Sequence, residues 1–202
     1  MTKIKMCGLT RPCDIAAANM LKPDYIGFVF APKSKRYLTP EKAKELKALL
    51  VPDIRVVGVF VNEEPETVAG LLEQGIIDMV QLHGVEDEKY IACLRQSTSM
   101  PIIKAFQVRT SEDVIKAEAS SADEILLDSG AGTGTVFNWE LIRPVMRPYF
   151  LAGGLTPDNV GEAVRQLHPY AVDVSSGIER DGYKDQGLMA AFIAAVRKED
   201  EV

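Results

Sequence analysis

Residues 150–179 read FLAGGLTPDNVGEAVRQLHPYAVDVSSGIE. The apolar run FLA stops at paired glycines, and Thr156 with Pro157 then offers an N-cap residue and a proline at the first helical position, where its missing N–H costs nothing. A second apolar run, AVDV, follows the helical stretch and again stops at small residues and a glycine. Working outward, the same unit recurs along the chain. Eight apolar segments close near Cys7, Phe30, Val61, Leu82, Phe106, Asp128, Ala152 and Ser176, about 24 residues apart, and each leads into a loop and a helical pattern. Val/Ile/Leu-rich strands at that period predict an α/β fold: a single-domain (β/α)8 (TIM) barrel over residues 1–202, with eight parallel strands and outer helices. Such barrels work at one face, so chemistry is expected at the carboxyl ends of the strands.

The bulk composition fits that reading. At 202 residues there is length for one barrel and no second domain. With 47% apolar residues the chain can bury a large core, and its formal net charge of −6 argues against nucleic acid or an anionic membrane as partner. No apolar run reaches the roughly 18 residues of a membrane span. With the first strand opening at Lys3, no leader segment is expected and the location is read as cytoplasmic. Cys7, Cys13 and Cys93 form an odd set without CxxC spacing, so neither a disulfide framework nor a metal site is expected.

Helix stripes are legible in Ala43, Leu46 and Leu50, in Val68, Leu71 and Leu72, and in Tyr90, Ile91 and Leu94. Thr39 with Pro40 marks another helix start, and the KEDEV tail after Arg197 reads as frayed. The oligomeric state, monomer or homodimer, is not written in these patterns.

Chemistry-bearing residues stand at several strand ends. In KIKMCGLT, alternation puts Lys3, Lys5 and Cys7 on one face. A cysteine there is commonly just a small buried residue, but Gly8 lets the backbone turn away and leave the sulfur open. Asp128 closes the sixth strand at the barrel mouth, either capping its own loop or serving as a general acid. Gly153 and Gly154 after strand 7, with Ser176 and Gly177 after strand 8, fall in the two loops where these barrels usually hold a phosphate dianion. Gln81 and His83 share a face after strand 4 and are expected to face the pocket, whereas His168, beside Pro169, is read as surface. In the basic loop APKSKRYLTP, Lys33 and Lys35 read as solvated. Arg36 has a guanidinium suited to gripping a carboxylate with two parallel hydrogen bonds. Strands 1 and 8 are neighbours in a closed barrel, so Lys5 and Asp173 are expected to meet as an internal ion pair.

Taken in order, KMCGLT, GFVFAPKSKRYL, VGVFVN, VQLHG, LLDS, GTG with FNW, FLAGGL and VDVSSGIE with GYKD closely resemble the phosphoribosylanthranilate isomerase family of tryptophan biosynthesis. The resemblance runs from the first strand to the final helix. It implies a cofactor-free barrel that converts N-(5-phosphoribosyl)anthranilate to 1-(2-carboxyphenylamino)-1-deoxyribulose 5-phosphate by an Amadori rearrangement. By the same resemblance, Cys7 is the general base and Asp128 the general acid. Arg36 holds the anthranilate carboxylate, and phosphate rests on Gly153, Gly154, Ser176 and Gly177. The chain departs from the family pattern after strand 6, where Ala131, Thr135 and Asn138 replace a glycine, a lysine and an aspartate.

Two other readings compete. Another ribulose-phosphate-type barrel, an epimerase or the synthase that follows in the pathway, shares the phosphate loops but lacks the Cys7 and Asp128 pairing. The epimerase also calls for metal-ligand histidines, and this chain has only two histidines. A non-catalytic binder of phosphoribosyl ligands needs neither an acid nor a base.

Overall fold

A computed structural model describes residues 1–128, 139–142 and 144–201. Eight parallel strands close on themselves in chain order: β1 (Lys3–Cys7), β2 (Tyr25–Val29), β3 (Arg55–Phe60), β4 (Met79–Leu82), β5 (Ile102–Gln107), β6 (Glu124–Asp128), β7 (Tyr149–Ala152) and β8 (Ala171–Val174). Closure is made by β1 against β8, with Lys5 opposite Asp173. Around the barrel lie α1 (Pro12–Leu21), α2 (Pro40–Lys47), α3 (Pro65–Glu73), α4 (Glu88–Ser97), α5 (Ser111–Glu118), α6 (Val160–Leu167) and α7 (Gln186–Asp200). Between β6 and β7 the described residues hold only a 3-10 turn, Trp139–Leu141, where the period predicts an eighth helix. The departures at Ala131, Thr135 and Asn138 lie outside the described residues.

Alternation along each strand sorts the core into two layers. Outward residues such as Ile4, Met6, Ile26, Phe28, Val56 and Phe60 pack under the helices, and Phe30 stacks on Phe60 with centroids 5.2 Å apart. Inward residues Tyr25, Val57, Met79, Ile103, Leu126 and Phe150 fill the barrel floor. Of the expected helix stripes, Ala43 and Leu46, Val68, Leu71 and Leu72, Ile91 and Leu94 are buried, whereas Tyr90 is half-buried and Leu50, also half-buried, lies beyond the end of α2.

Several boundaries differ from expectation for identifiable reasons. Thr39 caps α2 as predicted, its side chain accepting from the Lys42 N–H. Thr156 does not start α6: it opens a turn in which its N–H donates to Asn159 Oδ1 at 2.8 Å, and the helix begins at Val160. Strand β8 ends at Val174 rather than near Ser176, because Ser176–Ile178 winds into a 3-10 turn. The alternation that would put Gly177 in line with Asp173 therefore stops short. The tail is not frayed after Arg197, since α7 continues to Asp200. The Asp200 carboxylate accepts from Thr2 N at 2.8 Å and from Arg197 Nη1 at 2.8 Å, tying the last helix to the first strand.

After β8 the chain makes a hairpin that the barrel period does not announce. Strands β9 (Glu179–Arg180) and β10 (Tyr183–Lys184) pair antiparallel across Asp181 and Gly182, both with positive φ, 54° and 81°. An Asp-Gly pair supplies both left-handed residues that a two-residue hairpin turn requires.

Candidate active site

Cys7, Arg36, Gln81, His83, Asp128, Gly153, Gly154, Ser176 and Gly177 all line one cavity of ≈ 370 Å³ at the carboxyl ends of the strands. Each arrives there by strand alternation or by the loop that follows its strand. Cys7 is the last residue of β1 and packs with Val29 and Val59 at the barrel mouth. Asp128 is the last residue of β6 and lines the same cavity. His168 caps α6 at the surface, outside this cavity.

Two glycines make room for the Cys7 neighbourhood. A Cβ on Gly27, directly opposite Cys7 in β2, would sit 2.6 Å from its sulfur. A Cβ on Gly8, whose φ is +81°, would sit 2.3 Å from Arg36 Cδ, so the arginine stem lies against the backbone next to Cys7. Gly27→Ala is therefore expected to displace the sulfur and to cost about 1–3 kcal/mol of stability by overpacking. Urea unfolding of the purified variant, with a thiol-alkylation rate alongside, checks both effects.

The predicted internal ion pair is present. Lys5 Nζ donates to Asp173 Oδ2 at 2.9 Å, with the lysine side chain fully buried. Burial alone would lower the Lys5 ammonium, but Asp173 and Cys7 beside it outweigh burial and raise it. For Cys7 the balance goes the other way: burial pushes the thiol up, Lys5 and Lys184 oppose this, and Asp173 adds to it. Burial thus sets the Cys7 thiol above its ordinary value, with the Lys5 and Lys184 ammonium groups pulling the other way.

Asp128 and His83 are neighbours across the cavity mouth, a contact that strand alternation does not announce. His83 Nε2 stands 3.5 Å from Asp128 Oδ2, and Gln81 Nε2 lies 2.8 Å from His83 Nδ1. With the amide so placed, its N–H donates to Nδ1, which leaves the ring proton on Nε2, towards the carboxyl group. Strand alternation located Gln81 and His83 on one face; their link to β6 is a tertiary contact.

Next to Asp128, whose register partner in β7 is Ala152, Gly153 and Gly154 hold φ of 96° and 65°, and the loop after β7 meets the loop after β8 backbone to backbone. A Cβ on Gly177 would fall 1.9 Å from the carbonyl oxygen of Leu155, so only glycine fits that approach. The result is a concave stretch of main chain of the kind that accepts an anion.

Four charged residues near the site escaped the sequence reading. Glu179 accepts from Arg36 Nε at 2.6 Å and Nη2 at 2.7 Å, and Lys184 Nζ donates to the same carboxylate at 2.7 Å. Burial would raise the Glu179 carboxyl, yet the hydrogen bonds from Arg36 and Lys184 prevail and hold it below the usual range. Asp14 in α1 grips Arg11, whose Nη2 reaches the Lys184 carbonyl at 2.7 Å and so pins the hairpin to the loop after β1. The Asp181-Gly182 turn was the available signal, because in a two-residue hairpin Glu179 and Lys184 are cross-strand partners.

Fold and site together define a class: a (β/α)8 barrel whose working face gathers a thiol, a carboxyl group, a guanidinium and two glycine-rich loops in one cavity. The family model described as N-(5'phosphoribosyl)anthranilate (PRA) isomerase matches residues 4–195, and the chain belongs to that family. An N-(5'-phosphoribosyl)anthranilate isomerase of Endomicrobium trichonymphae is 45% identical over 202 residues, covering 98% of this chain and 99% of that protein. The crystal structure of phosphoribosyl anthranilate isomerase from Thermotoga maritima superposes with a TM-score of 0.90 at 38% identity, over 98% of this chain and 100% of that one. A further crystal structure of such an isomerase holds reduced 1-(O-carboxyphenylamino)-1-deoxyribulose 5-phosphate. It superposes with a TM-score of 0.88 at 38% identity, again over 98% of this chain and 100% of that one. Among the described residues, no helix is long and apolar enough to cross a membrane, and no group of three or more His, Cys, Asp or Glu is arranged to hold a metal ion.

Proposed function

We infer that this chain is an isomerase that converts N-(5-phosphoribosyl)anthranilate to 1-(2-carboxyphenylamino)-1-deoxyribulose 5-phosphate in tryptophan biosynthesis, without a cofactor. The observation that carries the reading is the shared cavity, with the Cys7 thiol and the Asp128 carboxyl group beside the two glycine loops and Arg36. A mere ligand binder has no use for an acid and a base in one cavity. The substrate's phosphate would rest on the main chain of Gly153, Gly154, Ser176 and Gly177, and its carboxylate on Arg36.

In this mechanism Asp128, protonated, gives its proton to the furanose ring oxygen. The C1–O bond breaks, the ring opens, and the anthranilate nitrogen becomes a protonated Schiff base that acidifies the proton on C2. Cys7 removes that proton, and the resulting enolamine tautomerises to the ketose. The iminium charge adds to the Lys5 and Lys184 ammonium groups in favouring the thiolate, the form in which Cys7 takes the proton. His83, with its Nε2–H towards Asp128, stabilises the carboxylate once it has given up its proton.

The test is direct. Purified protein given the substrate without added metal or cofactor should extinguish the anthranilate-type fluorescence of the aldose. The base must be deprotonated and its thiol is raised by burial, so kcat/KM should still be climbing above about pH 8.5, the ordinary thiol value. A profile already flat at pH 6 would remove Cys7 from the role of base.

A further inference from the structure

Arg36 is held at three points. Its backbone N–H donates to Ser34 Oγ at 3.1 Å inside the turn that follows β2. Its stem lies against the Gly8 backbone, where a Cβ would be 2.3 Å from Cδ. Its head gives the Nε and Nη2 edge to both oxygens of Glu179. A guanidinium has two edges that can grip a carboxylate in parallel, and Glu179 occupies one of them. Nη1 has no hydrogen bond among the described residues.

The charge count explains why a carboxylate here does not repel a second one. Lys184, only 7% exposed, also binds Glu179 and is anchored by the Ser175 carbonyl at 2.8 Å. Two cations therefore surround one anion, and the cluster keeps one positive charge in surplus beside the cavity. An isolated Arg36–Glu179 pair would be neutral.

We propose that Glu179 is a positioning residue for carboxylate recognition: by occupying the Nε/Nη2 edge of Arg36, it leaves a single guanidinium edge, at one fixed place beside Cys7, for the carboxylate of the substrate. This rests on the reading of Arg36 as the residue that takes that carboxylate. With Glu179 neutralised, two charge-assisted bonds fall to at most one neutral acceptor on the Nε/Nη2 edge, so the arginine head can swing and the aromatic acid binds in more than one pose. Only one pose sets C2 in reach of the sulfur, and a misplacement of about 1 Å is enough to cost orders of magnitude in rate.

The comparison to make is kcat/KM for N-(5-phosphoribosyl)anthranilate against the analogue with hydrogen in place of the carboxyl group, in wild type, Glu179→Gln and Arg36→Met. Glu179→Gln should shrink the preference for the carboxylated substrate about 10-fold or more and leave the analogue within about 3-fold of wild type. A purely structural role would lower both substrates together. An unchanged preference, or an equal loss on both substrates, overturns the proposal when Arg36→Met does abolish the preference. If Arg36→Met leaves the preference intact, the Arg36 reading itself has failed. Should Glu179→Gln prove unfolded by circular dichroism, Glu179→Asp carries the same comparison. It keeps the charge but draws the carboxylate back by one methylene, and it should give a smaller shrinkage in the same direction.

Discussion

Replacing Cys7 with alanine, or Asp128 with asparagine, is expected to lower kcat by about 10²–10⁴-fold, the usual worth of a positioned general base or acid. The two should not add in the double variant, because the proton Cys7 removes becomes acidic only after Asp128 has opened the ring. Binding should survive in both single variants. On the proposed reading the phosphate rests on main chain around Gly153, Gly154 and Gly177 and the carboxylate on Arg36, itself anchored by Ser34, Gly8 and Glu179, so neither substitution touches the groups assigned to hold the ligand. Steady-state kinetics on the substrate, with calorimetric titration of the ketose product, separates the two effects. Retention of wild-type turnover in both variants would place the chemistry on other groups.

The second large effect is on stability. Lys5→Met leaves Asp173 buried without its cation, and breaking a buried pair from one side costs about 3–5 kcal/mol. Asp173 Oδ1 already lacks a hydrogen-bond partner, so the lost Lys5 contact has no ready substitute. For a chain of this length that corresponds to a fall of roughly 6–20 °C in Tm. The double variant Lys5→Met/Asp173→Leu should recover most of the loss, since an apolar pair of similar volume is often as stable as the ions it replaces. The pH dependence has a definite sign. The folded Lys5 is raised above its unfolded value, so its contribution is fully present below about pH 10.4 and disappears as pH climbs through the folded value. The gap in chemical stability between wild type and Lys5→Met should therefore hold steady from neutral to mildly alkaline pH and narrow only above that range. A Lys5→Met protein as stable as wild type would mean that the pair contributes nothing. The same variant should also slow turnover, because Lys5 is one of two cations opposing the rise of the Cys7 thiol.

Much of this protein follows from local rules. The strand period of about 24 residues gave the closed barrel, because a parallel strand buried on both faces has no other economical way to read. Two-residue alternation gave the inward direction of Lys5, Cys7, Gln81 and Asp173, and barrel closure then forced Lys5 and Asp173 together. Helix start signals were less dependable. Thr39-Pro40 capped a helix, whereas Thr156-Pro157 entered a turn fixed by Asn159. An identical dipeptide signal resolves differently once the chain around it must also bring Leu155 against Gly177.

What the sequence determined by itself is the scaffold and the roster of groups at its mouth, since both depend on periodicity and on the order of strands. The tertiary structure alone decided how those groups are paired: His83 with Asp128, Glu179 with Arg36 and Lys184, and the Cys7 sulfur in the space that Gly27 leaves. The physical reason is range. Alternation and capping act over two to four residues and are written locally. A hydrogen bond between side chains 143 positions apart, as from Arg36 to Glu179, exists only after the barrel has closed and brought their loops to one rim.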